Sequence, residues 1–311
     1  MKRGAYAHSQ AIVNHNHWVN NKAKKDLTYT NAMPLLDGDM KTYCRRRKRF
    51  EQYLFDELYN GNVYRVNQGK LSIVMASYNA PDALQKTLAS LFANTYHEFE
   101  LIIIDDVSTN YTTKAVLSDL IRKPYFNKDR SYIYFSDKKL YTTGAWNLGV
   151  SKATGDYIAV VNNDITFSKN WDVYLMNELD KKDVMLANPY QTDDGEKKPY
   201  GFADRAGGIN IRGTCFMMNK KSCKALFPLP KDLIMWFSDY WIAYTIEKLK
   251  KKSNFVEKSV VYNMGSKSSI DLQKDTGVLW WIIRGDAMRF TEMTGIDTTH
   301  WRNIINERLH L

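Results

Sequence analysis

The chain has 311 residues, of which 44% are hydrophobic, and a formal charge of +10. It is long enough for one large domain or two small ones, with a sizeable core. It has no run of 18 or more apolar residues and no apolar segment behind Met1, so we expect neither a membrane span nor a secretory signal, and a cytoplasmic protein. Cys44, Cys215 and Cys223 lack metal-ligand spacing and fit free thiols in a reducing compartment.

The positive charge is concentrated in the first quarter of the chain. Residues 1–70 contain thirteen Lys and Arg against six Asp and Glu. They include a run of five cations, Arg45, Arg46, Arg47, Lys48 and Arg49. Such a run is either the solvated face of a helix, here predicted over 41–60, or a contact for a phosphate-rich partner such as double-stranded DNA. The segment is interpreted as a basic N-terminal extension.

From residue 71 onward, apolar strands alternate with helical patterns. The predicted strands are Leu71–Ala76, Phe99–Ile104, Ser131–Phe135 and Tyr157–Val161, and the helices between them begin at Pro81, Lys114 and Gly144. The strands are nearly unbroken apolar runs, as burial on both faces requires. This alternation predicts an α/β fold with a mostly parallel, Rossmann-like sheet flanked by helices.

Beyond Asp164 the pattern is looser. The predicted elements are a helix over Trp171–Leu179, a strand over Val184–Ala187, a polar loop over 190–210, a strand over Gly213–Met218, a helix over Ser238–Lys251 and an amphipathic helical stretch over Trp280–Leu311. A loop as long as 190–210 is usually functional or mobile.

Polar side chains follow three of the predicted strands. The three groups are Ser77-Tyr78-Asn79, Asp105-Asp106 and Asn162-Asn163-Asp164. In a parallel sheet these groups lie along one edge, where open α/β sheets bind ligands. Asp164 is a hard oxygen ligand suited to a Mg²⁺ or Mn²⁺ that also holds phosphates, although a solvated turn is the commoner explanation of a single such triplet.

The order and spacing of these segments resemble the family 2 nucleotide-sugar glycosyltransferases, which have the GT-A fold. The matching segments are Leu71–Asn79, Thr95–Asn110, Gly144–Gly149, Ala153–Ile158 and Asn162–Asp164. The resemblance implies a GT-A core over about 71–265, followed by a C-terminal flap and helical segment over 266–311. It also implies an enzyme that takes a nucleotide sugar, with a UDP-sugar as the expected donor, and depends on Mn²⁺ or Mg²⁺.

The resemblance assigns donor-binding roles to residues at the strand ends. Ser77 and Asn79 would flank the nucleotide base, Asp105 or Asp106 would hold the base or ribose, and Asn147 would reach the ribose or diphosphate.

The triplet stands where the family has its Asp-x-Asp motif. Asp164 would bind the divalent cation, Asn162 would face the ribose or sugar, and Asn163 is included among the donor-binding residues. The first position is Asn rather than Asp, which lowers the local negative charge. Many relatives also have a late His near the metal, whereas Asn263 occupies that place here.

The resemblance places a general base at a helix start, where Asp239 is the match. An N-cap role for this residue is the alternative. In-line attack would invert the anomeric centre.

Three acceptors or roles are compatible with the sequence. Arg45–Arg49 favours a hydroxymethylated base in bacteriophage DNA, which would require flipping of the base in a duplex. The family's commonest role is the synthesis of a surface polysaccharide or glycan. A carbohydrate- or nucleic-acid-binding module without catalysis is the third alternative. The sugar and the oligomeric state are left open.

Overall fold

The computed structural model describes residues 70–193, 211–265 and 267–299, apart from 124–125 and 127–130. The basic run Arg45–Arg49 lies outside the described residues. The eight strands are β1 Leu71–Ser77, β2 Phe99–Asp105, β3 Tyr132–Phe135, β4 Tyr157–Asn162, β5 Ile165–Phe167, β6 Val184–Asp193, β7 Cys215–Asn219 and β8 Lys252–Asn263. They form one sheet in the order β3-β2-β1-β4-β7-β6-β8-β5.

Helices flank the sheet. Those within the described residues are α1 Pro81–Asn94, α2 Tyr111–Arg122, α3 Tyr141–Lys152, α4 Trp171–Leu179, α5 Lys220–Leu226, α6 Ser238–Lys248, α7 Lys267–Thr276 and α8 Leu279–Thr294. The described part of the chain holds no helix that is both long enough and apolar enough to cross a membrane.

The first four strands form the predicted parallel unit. β1 pairs in parallel with β2 and β4, and β3 pairs in parallel with β2. Ser77 is opposite Asp105, and Ala76 is opposite Asn162. The polar residues that follow these strands therefore meet at one edge of the sheet, which confirms the sequence-based expectation.

Alternation along β1 divides the core into two layers. Ile73 and Met75 pack with α1 and α2 on one face, whereas Val74 packs with α3 on the other. Close packing of α3 requires glycine at Gly149, because a Cβ atom there would lie 2.3 Å from Cγ1 of Val74. The continuous apolar sequence of β1 therefore reflects burial on both sides.

The second half of the sheet is mixed. β7 pairs antiparallel with β4 and β6, while β6 and β8 pair in parallel. The sequence did not indicate β5 or β8. β5 has three residues, and β8 includes exposed Glu257 and Lys258, so neither shows a clear apolar pattern. β6 continues to Asp193 and includes the first residues of the predicted polar loop.

The chain returns across the sheet edge through α7 and α8. Both helices lie within the predicted C-terminal segment 266–311, and α8 begins one residue before the predicted amphipathic stretch. Ala287 and Phe290 of α8 pack against Leu233 and Phe237, which precede α6. The C-terminal helices are thus anchored on the segment between β7 and α6.

Candidate active site

A cleft lies at the carboxyl ends of the parallel strands and encloses about 630 Å³, including space open to solvent. Its lining comes from the ends of β1, β2 and β4, the start of α3, the segment before α6, and α7. The lining residues are Ala76, Ser77, Tyr78, Asp106, Lys139, Tyr141, Thr142, Asn162, Asn163, Asp164, Met235, Ser268, Ser269 and Leu272. Five of the predicted site residues therefore share one cavity.

The turn between β4 and β5 presents Asp164 at this cleft. The Asn162 amide donates to the Thr214 carbonyl over 2.9 Å, and the Asp164 carbonyl accepts from the Met264 amide over 2.9 Å. Before the turn, β4 pairs with β1, and after the turn, β5 pairs with β8. The buried Asp164 is therefore held between two strands that the sheet fixes in place.

Asn163 connects the cleft to α7. Its Oδ1 accepts from the Ser268 hydroxyl over 2.9 Å, and its Nδ2 lies 3.5 Å from Oγ of Ser77. The Asn163 amide therefore links two other residues of the cleft lining, Ser77 and Ser268.

Asp106 is the centre of a charged cluster. Its carboxylate accepts the backbone N–H groups of Leu140 and Tyr141. Nζ of Lys139 lies 3.3 Å from Oδ2 of Asp106 and 3.0 Å from the centroid of the Tyr78 ring. Burial lowers the pKa of Lys139, while the Asp106 carboxylate acts in the opposite direction. This end of the cleft offers a carboxylate, a cation and an aromatic face.

Asn79 and Asp105 lie beside the cleft and are not among its lining residues. Asp105 accepts from the hydroxyl and the amide of Ser108, and burial raises its pKa against the effect of those bonds. Oδ1 of Asn79 accepts from the Asn110 amide, and its Nδ2 donates to Asp275. Both side chains hold the loop that follows β2.

Asn147 lies apart from the cleft lining. Its Nδ2 donates to the Leu229 carbonyl over 3.0 Å, and its Oδ1 accepts the Leu229 amide over 2.7 Å. The side chain thus pairs α3 with the segment after β7. Its role toward the ribose or diphosphate remains a prediction.

Asp239 lies in the first turn of α6 and is partly buried. Its Oδ2 accepts from the Gly213 amide over 3.1 Å, and its Oδ1 accepts from the Tyr240 amide over 3.0 Å. The neighbouring Ser238 hydroxyl bonds to Thr143, next to the lining residue Thr142. Asp239 is not among the residues that line the cleft, and its role as a general base remains a prediction.

Two carboxylates that the sequence reading missed support the cleft. Asp286 of α8 is buried and accepts the amides of Ile234, Met235 and Trp236 over 2.7 to 2.9 Å. It therefore fixes the loop that places Met235 in the lining. The sequence signal for this role was an acidic residue among the apolar positions that form the buried face of α8.

Asp275 of α7 supports the part of the cleft around Tyr78. Its Oδ2 accepts from Tyr78, Asn79 and Thr109 over 2.7 to 3.1 Å. Burial and the hydrogen bond to Asp275 raise the pKa of Tyr78 to about 12, so the phenol is a donor at neutral pH.

Strained backbone accumulates around the same edge. Asn79, Ala80, Val107, Tyr141 and Phe237 have φ between 48° and 64°, in the left-handed region that is unfavourable for residues with a Cβ. Such conformations persist where surrounding structure holds them, often at ligand sites.

The donor set fits a divalent cation that arrives with its substrate. Within the described residues, no group of three or more His, Cys, Asp and Glu side chains is placed to hold a metal ion. Asp164 and the amide oxygens beside it can supply part of a coordination sphere. Mg²⁺ commonly takes one or two carboxylates and completes its shell with substrate phosphates and water.

Comparisons with known proteins agree with this geometry. The model of the family "Glycosyl transferase family 2" matches residues 72–227. An uncharacterized glycosyltransferase of Rickettsia bellii is 25% identical over 175 residues, which are 56% of this chain and 24% of that protein. One from Haemophilus influenzae is 30% identical over 143 residues, or 46% of this chain and 51% of that protein.

The amylovoran biosynthesis glycosyltransferase AmsB of Erwinia amylovora is 30% identical over 99 residues, which cover 32% of each chain. The chain thus spans between about a quarter and about half the length of these curated relatives.

Solved structures show the same fold at low identity. GalNAc-T7 with UDP, GalNAc and Mn²⁺ has a TM-score of 0.55 and 16% identity, covering 78% of this chain and 57% of that one. Residues 1–349 of S. aureus TarS with UDP give a TM-score of 0.51 and 16% identity, covering 77% and 70%. The GT-A fold, with its C-terminal helices, is therefore present. Because the family model matches half of the chain and its strand-end motifs meet in one cleft, the chain belongs to glycosyl transferase family 2.

Proposed function

We propose that this chain is an inverting, metal-assisted glycosyltransferase that moves a sugar from a nucleotide diphosphate sugar, with UDP as the expected nucleotide, to an acceptor hydroxyl. The observation that carries the proposal is that Asp106 and Asp164, which follow different strands, line the same cleft. That arrangement gives a donor separate sites for its base and its diphosphate.

The base end is the cluster of Tyr78, Asp106 and Lys139. An aromatic face suits stacking, and a carboxylate suits the N–H and hydroxyl groups of a base or ribose. Lys139 also brings positive charge within reach of a phosphate. The similarly folded GalNAc-T7 was solved with UDP and Mn²⁺, and a mannosyltransferase of Pyrobaculum calidifontis with GDP-Man and Mn²⁺.

The diphosphate end is Asp164. A bound divalent cation supplies stabilisation of the charge that develops on the leaving diphosphate. Asp164 would hold that ion, and Asn162 supplies an amide oxygen beside it. The buried turn fixes Asp164 before the donor arrives, so little reorganisation is needed during the reaction.

The transfer also needs a proton acceptor. As the acceptor oxygen bonds to the anomeric carbon, the bond from that carbon to the diphosphate breaks, and the hydroxyl proton goes to Asp239. Asp239 is suited to this role because backbone amides orient both of its oxygens. The products are the glycosylated acceptor and the nucleoside diphosphate.

A carbohydrate acceptor is the favoured candidate. AmsB, a relative over 32% of this chain, belongs to amylovoran biosynthesis by its name. The run Arg45–Arg49 favours a second candidate, a hydroxymethylated base in DNA.

The donor proposal is tested by thermal shift of the full chain with a panel of nucleotide sugars, with and without Mn²⁺. We expect at least one UDP-sugar to raise the melting temperature in the presence of Mn²⁺ and a smaller rise without it. If no nucleotide sugar raises the melting temperature under either condition, the transferase proposal fails and a non-catalytic binding module is the better interpretation.

The acceptor is tested separately with the donor so identified. Radiolabelled sugar should be transferred to oligosaccharide acceptors rather than to duplex DNA that contains hydroxymethylated pyrimidines. Transfer to such DNA, with a rate that falls steeply as salt is raised, would establish the second candidate instead.

A further inference from the structure

Ten lysines lie along the sheet edge opposite the cleft. We call this surface the lysine edge: Lys70, Lys152, Lys181, Lys182, Lys220, Lys221, Lys248, Lys250, Lys251 and Lys252. All ten are exposed. Lys152 and Lys248 end α3 and α6, Lys252 begins β8, and the others lie just before β1, β6 and β8 or just after β7, so the topology of the sheet gathers them at one end.

Backbone contacts connect the lysine edge across five strands. The Lys220 amide donates to the Asp156 carbonyl, and the Asp156 amide donates to the Lys70 carbonyl. On the other side, the Lys252 amide donates to the Asp183 carbonyl. Neighbouring strands lie about 4.8 Å apart, so the distance from β1 to β8 is about 20 Å. The cations therefore form one broad surface.

The acids on this edge do not neutralise it. They number five: Asp156, Glu178, Asp180, Asp183 and Glu247. Within the described residues, ion pairs on this edge join Lys181 to Glu178 and Lys251 to Asp183. Asp180 accepts a hydrogen bond from the Tyr157 hydroxyl. The remaining excess of positive charge faces solvent.

An apolar side chain stands among these cations. Leu249 follows α6 directly and is 46% exposed, between Lys248 and Lys250. Lysines surrounding an exposed leucine are the combination that binds the surface of an anionic bilayer, because the charges meet the headgroups while the apolar side chain enters the interface.

We infer that the lysine edge is a docking surface for an anionic phospholipid bilayer. The cleft lies at the opposite ends of the same strands, so docking there turns the active site away from the lipid. This inference does not depend on the donor or acceptor, because it concerns a surface outside the cleft.

The test is co-sedimentation of the full chain with sucrose-loaded vesicles of phosphatidylglycerol and phosphatidylcholine in equal parts, and with pure phosphatidylcholine vesicles. The chain should bind the anionic vesicles, and K250E/K252E should weaken that binding at least about tenfold. L249N should weaken it a few-fold without changing charge. Circular dichroism would show that each variant is folded.

The matched control is K114E/R289E, which has the same change in net charge on α2 and α8. It should bind the anionic vesicles within about twofold of the original chain. Absence of binding to anionic vesicles, or equal losses in both double variants, would overturn the inference. So would a K250E/K252E chain that loses affinity for duplex DNA while its vesicle binding is unchanged.

Discussion

The two sides of the cleft are built in different ways. The donor half, residues 71–167, consists of consecutive strands whose polar ends meet because parallel pairing aligns them. The C-terminal wall, residues 228–299, is joined to the donor half by side-chain hydrogen bonds of Asp275 and Ser268, and Asp286 holds the wall's own loop before α6. The first side is determined by strand register and the second by a few side-chain hydrogen bonds. Substitutions should therefore separate donor chemistry from the positioning of the wall.

The largest effect is expected in the donor half, from Asp164→Ala. Loss of the carboxylate removes the proposed ion ligand, and several kcal/mol of charge stabilisation correspond to a loss of transfer on the order of 10³-fold. The Mn²⁺-dependent part of the donor thermal shift should disappear as well. Asp119→Ala, an exposed carboxylate on α2, is the control and should retain both. Mn²⁺-dependent donor binding by Asp164→Ala would assign the ion to other residues.

Asp239→Asn tests the proposed base on the other side. The amide oxygen can still accept the Gly213 N–H but cannot take a proton, so transfer should fall about 10²-fold or more. Donor thermal shift should be unchanged because the donor half is intact. Near-normal transfer would show that Asp239 is not the base and only holds the Gly213 backbone. Equal loss of transfer and donor binding would place it in the donor site instead.

Asp286→Asn addresses the wall itself. The substitution replaces one acceptor oxygen by an NH₂ group facing backbone donors, so we expect a stability loss of about 1–3 kcal/mol. Displacement of the loop that contains Met235 should raise the acceptor KM about tenfold, with the donor thermal shift retained. Chemical denaturation and initial rates measure these two effects.

The control for Asp286→Asn is Glu292→Gln, an exposed acid on the same helix. It should leave the free energy of unfolding and both KM values near their original levels. A lower stability for Asp286→Asn with an unchanged acceptor KM would limit Asp286 to a structural role.

The difference between the donor half and the C-terminal wall also explains which parts of the fold could be predicted from the sequence. Trp171–Leu179 was predicted with its observed bounds, and β1 differs from its predicted range by one residue, because short-range periodicity and breakers define these elements. The predicted strand ends also placed Asp106 and Asp164 together, because neighbouring parallel strands end at the same side of the sheet. The charged strand β8 carried no clear pattern, and its position depends on pairing with β6.

Side-chain partners were harder to predict than elements. The sequence did not indicate that the Asn147 amide pairs with the backbone of Leu229, 82 residues away. Asp286 meets Ile234 across 52 residues. Such contacts depend on how whole elements pack, and neither spacing nor residue type at one position specifies them. The N-cap alternative for Asp239 was wrong, because Phe237 is the N-cap of α6 and Asp239 lies inside the helix, whereas the general-base interpretation still needs the kinetic test above.

The smallest expected effect concerns Asp275, where the wall touches the donor half. Asp275→Ala removes one carboxylate that accepts from Tyr78, Asn79 and Thr109 together. Because Ser268 still bonds to the Tyr78 carbonyl, α7 should stay in place and the donor KM should rise only a few-fold, with kcat unchanged. Lys274→Ala, its exposed neighbour, should change neither value. A fall in kcat at constant donor KM would mean that α7 acts on the transfer step, so the two sides would not be separable.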